Sequence, residues 1–126
     1  MRQLVLGPLL LVLGLALASC RRGGSPKLEG HWKGQKADGV PESAQVAANA
    51  FATGTDIIAQ GDQIAIQTPA GRNPAARYVV DKEDATTVVI HTERDGIAET
   101  FTFNETGDVM IWKIDAQKSI TFRKVP

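Results

Sequence analysis

From residue 28 onward the chain mostly alternates apolar and polar residues in short runs separated by turn residues. A period of two sends successive side chains to opposite faces of a strand, so runs of this kind build sheets with one buried face. Residues 55–60 and 63–68 flank Gly61-Asp62, a tight hairpin signal. Residues 69–74, rich in Gly, Asn and Pro, read as a turn. Further strands are expected at 76–82, 86–93, 98–104, 109–115 and 119–125, and an earlier one at 28–36 carries Trp32. Residues 41–52 break the pattern. They are alanine-rich, pair Val46 with Ala50 and Ala47 with Phe51 at i,i+4, and lie between Pro41 and Gly54. They predict a short helix with Glu42 or Ser43 near its start. Its apolar face is narrow, which suits a helix laid over a barrel end or a sheet edge.

Strands joined by short connections pair antiparallel with their neighbours, and a meander of about eight must close or be covered to protect its edges. The expected fold class is mainly β: a small antiparallel up-and-down meander or barrel of about eight strands, with one short helix after the first strand and a cleaved signal helix before it. At 126 residues the chain holds one domain at most. Expected bounds are 1–19 for a signal peptide, 20–27 for a modified cysteine and flexible tether, and 28–126 for a single β domain.

The N-terminus carries the sorting signal. Arg2 precedes an apolar run over residues 4–17, close to a signal-peptide core in length and short for a membrane span. Leu17, Ala18, Ser19 and Cys20 follow, and Cys20 is the only cysteine. This pattern resembles the lipobox of bacterial lipoproteins. The resemblance implies cleavage between Ser19 and Cys20, diacylglycerol on the Cys20 sulfur and acylation of the new amino terminus, for which palmitate is the expected chain. Two or more acyl chains anchor stably where one does not. Arg21 in place of Asp favours the outer membrane, with the domain facing the periplasm. Residues 21–27, with Gly, Ser and Pro, read as the tether.

Gly30-His31-Trp32 on the first strand and Arg123 on the last resemble, weakly, the start and end of lipocalin-like and fatty-acid-binding (calycin) barrels. That resemblance implies an indole at the closed barrel end with a basic side chain across it, a cation–π pair assigned here to Trp32 and Arg123. The plain alternative makes Trp32 a core aromatic and Arg123 a surface charge. Interior candidates are Ile64, Ile66, Val88, Ile90, Phe101, Phe103, Met110, Trp112, Ile114, Ile120 and Phe122. In a narrow eight-stranded barrel they either fill the space or line a pocket for a small apolar ligand, and filling is the default.

The composition excludes several classes. Arg2 is the one basic residue before Cys20 among 14, and all 14 acidic residues follow it, so the mature part is formally −1. No basic field is present for nucleic acid. His31 and His91 stand apart with no ligands at metal spacing, and His91 is expected to point outward. The acid pairs at 83–84 and 93–95 fall at turns, and no serine sits in a nucleophile elbow. No catalytic residue, metal or cofactor is expected, so the chain is read as a non-enzyme. Two functions stay open. One is a membrane-anchored envelope module that binds a small apolar ligand or serves a structural role. The other is a protein-interaction module, an envelope enzyme inhibitor or assembly accessory, with the 69–74 loop and Arg72 and Arg77 as its contact surface.

Overall fold

The computed structural model describes residues 24–126, so the apolar leader, the lipobox and Cys20 lie outside the described residues. Strands form where the alternation predicts them. In chain order they are β1 (Gly30–Asp38), β2 (Asp56–Gln60), β3 (Gln63–Thr68), β4 (Gly71–Arg72), β5 (Ala76–Glu83), β6 (Thr87–Thr92), β7 (Ala98–Phe103), β8 (Val109–Lys113) and β9 (Ser119–Lys124). β1 pairs with β2 and β9, β2 with β3, β3 with β5, and β5 to β9 in sequence, every pairing antiparallel. Eight strands therefore close into a barrel, and the two-residue β4 is an annex to β3. Closure removes the long unpaired edge that an open meander would expose.

A 3-10 turn, Glu42–Ala44, leads into α1 (Gln45–Thr53), the one α-helix among the described residues, between β1 and β2. Side chains cap neither piece, and Ala52 is the one buried residue of α1. Propensity alone would leave so short a helix marginal, so its support is tertiary. The Ala37 N–H donates to Asn49 Oδ1 at 3.0 Å, and Gln45 Nε2 donates to the Ala37 carbonyl at 2.8 Å. β1 bulges between Gly34 and Lys36, and a Cβ at Gly34 would run into the Ala52 carbonyl. The helix thus docks over the upper end of the barrel, the end of Asp38 and Thr92, with Ala48 and Ala52 against the core.

The lower end, at Gly30 and Lys124, is closed by the chain that precedes β1. Leu28 is fully buried there, and the Trp32 indole N–H donates to its carbonyl at 2.8 Å. The Ser25 N–H donates to Tyr78 Oη at 2.8 Å, and that hydroxyl donates to the Gly61 carbonyl at 3.1 Å. Two sequence boundaries move as a result. Residues 24–27, read as the end of a tether, are part of the fold. The first strand begins at Gly30, because Leu28 and Glu29 both donate to the Ser25 carbonyl in a turn that carries the chain across the barrel end.

The interior is filled. Ile64, Val88, Ile90, Phe101, Phe103, Met110, Ile120 and Phe122 are buried together with Trp32, Ile57 and Tyr78, and Ile66 and Trp112 pack partly against them. Each such side chain contributes about 1.5–3 kcal/mol on leaving water. Ile114 does not join them and is 44 % exposed. β8 ends at Lys113, and the Ile114 N–H donates to Lys118 O in the following turn, so the strand alternation stops one residue before it.

Candidate functional site

The barrel wall is thinnest between β3 and β5. They share two register pairs, Gln63 with Arg77 and Ile64 with Ala76. Beyond Ile64 the upper half of β3 pairs with β2 on one side and with β4 through Gln67 and Thr68 on the other. The prolines at 69 and 74 cannot donate to a ladder, which suits the break here. An opening of about 240 Å³ results at the upper end, on the side that α1 does not cover. Ile64, Ile66, Ile90 and Trp112 form its apolar wall, and Thr68, Thr92, Asp95 and Glu99 are among its polar residues. Drug-sized ligands occupy about 300–1,000 Å³, so this mouth suits a fragment of a few heavy atoms.

Trp112 fixes the inner wall. Its ring stacks on Phe101 with centroids 6.3 Å apart and planes 20° apart, and lies 6.3 Å from Phe122. Its indole N–H donates to Glu99 Oε1 at 2.9 Å. Burial pushes the Glu99 carboxyl above the usual glutamate range; Asp95 adds to this and the indole hydrogen bond opposes it. Among the described residues, no opposite charge pairs with Glu99: the Arg94 guanidinium donates to the Pro74 carbonyl at 2.7 Å, and Asp95 Oδ1 accepts from Thr92 Oγ1 and the Ile97 N–H.

Two other openings are chemically poorer. A groove of about 340 Å³ below the barrel is bounded mainly by the Pro26-Lys27 and Asn104–Gly107 turns, outside the strand wall. One of about 230 Å³ beside α1, between Ala48, Phe51, Ile114 and Ile120, presents an almost wholly apolar surface, although Asp38, Lys118 and Ser119 also border it. No family model matches the chain, and no curated protein matches it.

The predicted site residues separate in the structure. Trp32 is fully buried at the closed end and packs edge-on against Phe103, with centroids 5.7 Å apart. Arg123 does not cross it. Arg123 points outward to Asp108, 3.6 Å away, and Lys124 takes the expected place, its Nζ 5.3 Å from the indole centroid. Trp32 and Lys124 are direct cross-strand partners, which explains the exchange. His91 holds the Asp81 carboxylate at 2.8 and 3.0 Å, and His31 lies 3.6 Å from Asp56, both in partly exposed pairs. Among the described residues, no three His, Cys, Asp or Glu side chains gather as a metal site. Arg77 of the proposed contact loop pairs with Asp62 at 3.3 Å. Glu99 was missed as a site residue. It has the parity of Phe101 and Phe103 along β7, and a carboxylate on the inward face of a strand was the available signal.

Proposed function

We propose that the chain is a lipid-anchored bacterial envelope lipoprotein whose barrel is a non-catalytic binding module, taking a small, partly apolar molecule at the upper mouth. The observation that carries this reading is the mouth itself. In an otherwise packed barrel it is where apolar walls and an oriented carboxylate converge at a break in the strand ladder. The lipocalin-like resemblance supports the reading in outline through Gly30-His31-Trp32 and a cation over the indole, now Lys124. The ligand lies at the rim of such a barrel, because the aromatic core leaves no room below Trp112 for a long acyl chain.

The anchor sets the geometry. Three residues lie between Cys20 and Gly24, and the four Cα-to-Cα steps reach about 14 Å at full extension. Gly24 packs beside Gly61 at the lower end. A lipidated Cys20 therefore holds the closed end toward the membrane and turns the mouth toward the periplasm, the side on which Arg21 in place of Asp favours outer-membrane placement. Cys20→Ala is expected to lose lipid labelling and membrane association while keeping the folded barrel; labelled Cys20→Ala protein would defeat the anchor assignment.

Binding is read from the two indole N–H resonances in a nitrogen-15 correlation spectrum. A fragment set at millimolar concentration, the weak end of specific affinity, is expected to move the Trp112 signal and the backbone signals of Ile66, Ile90 and Glu99. Trp32, sealed at the other end, is expected to stay in place. A Trp112 signal unmoved by every fragment would overturn the binding role.

A further inference from the structure

We infer that the upper mouth takes a small organic cation, an alkylammonium whose chain lies against Ile64, Ile66 and Ile90 and whose head sits at the Glu99 carboxylate beside the Trp112 ring. The inference rests on the reading of the mouth as a binding site and adds the chemical class of the ligand. Three features carry it.

First, Glu99 is oriented but not neutralised. One carboxylate oxygen accepts the Trp112 indole N–H at 2.9 Å, which fixes the carboxylate plane without supplying charge. Asp95, at the β6–β7 turn, carries the same sign and acts on Glu99. The rim's own cation, Arg94, is exposed and turned to the Pro74 carbonyl at 2.7 Å. The mouth therefore holds more negative charge than its own side chains balance, and half-burial of Glu99 keeps water from screening it fully. A bound ammonium would supply the missing partner through a charge-assisted hydrogen bond.

Second, the wall beside Glu99 is an indole. The indole N–H edge is turned to Glu99, and a cation that reaches the ring's electron-rich face beside it is attracted there as well. The ring cannot swing away, because Phe101 and Phe122 hold it. Third, the apolar part of the remaining wall is three isoleucines and Ala76 in a space of about 240 Å³, matched to a chain of a few carbons. A carboxylate ligand of the same size would face Glu99 and Asp95 and be repelled. A neutral alcohol would bury the same chain and donate its O–H to Glu99, but it would bring no charge to balance the carboxylate.

The test compares n-butylammonium, 1-butanol and butyrate on the same chain, followed through the Trp112 indole signal at pH 7.5. The ammonium is expected to bind about tenfold tighter than the alcohol, one charge-assisted contact's worth. Glu99→Gln keeps an acceptor for the indole and is expected to erase that advantage, read as the ratio of the ammonium to the 1-butanol affinity in the same variant. Asp95→Asn is expected to weaken the ammonium by a smaller factor, and serves alone if the Trp32 signal shows that Glu99→Gln has not folded. Equal or tighter binding of 1-butanol or butyrate, or an ammonium affinity indifferent to both substitutions, would overturn the cation assignment and leave the mouth as a binding site. No shift with any of the three would overturn both.

Discussion

Tyr78 and Glu99 are both inward-facing polar side chains, and the structure treats them oppositely. The Tyr78 hydroxyl is satisfied twice, accepting from Ser25 and donating to Gly61. Burial raises its pKa, so it stays neutral at physiological pH. Tyr78→Phe leaves the Ser25 N–H without its acceptor and is expected to cost about 1–3 kcal/mol in urea unfolding. Amide exchange should quicken first at Ser25 and Leu28, where the chain seals the lower end. Glu99 instead carries an uncompensated charge. A carboxylate whose pKa is raised by folding contributes stability that is fully present below the ordinary glutamate pKa and lost as pH rises through the raised value. Glu99→Gln is therefore expected to raise or preserve Tm at pH 7, with the gain vanishing in acid. A clear loss of Tm at pH 7 would mean that the carboxylate is structural.

The elements were legible in the sequence wherever period two ran without interruption, since strands of a closed barrel bury one face only. The misreadings came from parity carried too far or not far enough. Ile114 continues the parity of Met110 and Trp112, but β8 stops before it. Lys124, not Arg123, continues the parity of Ile120 and Phe122, and the family resemblance overrode that count. The break between β3 and β5 was not legible, because it depends on which half of β3 finds a partner. Helix α1 was legible as a segment, but its dependence on Gly34 was not. Gly34→Ala pushes a methyl into the Ala52 carbonyl and is expected to cost at least about 2 kcal/mol, with α1 displaced. Gly71→Ala, with open space around it, should stay within about 0.5 kcal/mol. Turns respond to acid: backbone N–H groups of Thr86 and Thr87 hold Asp84 below the usual range, and those of Lys118 and Gln117 do the same for Asp115. Stability from these carboxylates is present above the ordinary aspartate pKa and lost as pH falls through the depressed values. Asp115→Asn should flatten that acid limb in a Tm-against-pH series.

For the whole molecule, the two ends of the barrel differ. The lower end is sealed by residues 24–29, with Leu28, Trp32 and Tyr78 beneath them, and the mouth opens at the other end beside Trp112. Under the proposed anchoring, a near-neutral mature chain would have no general attraction to lipid, and orientation would rest on the short link from Cys20 to Gly24. The two tryptophans mark the two ends. The most direct measurement places the lipidated chain in nanodiscs carrying a gadolinium-headgroup lipid and compares relaxation of the two indole N–H signals. A membrane-facing closed end predicts strong broadening of Trp32 and weak broadening of Trp112. Equal broadening, or the reverse order, would contradict it.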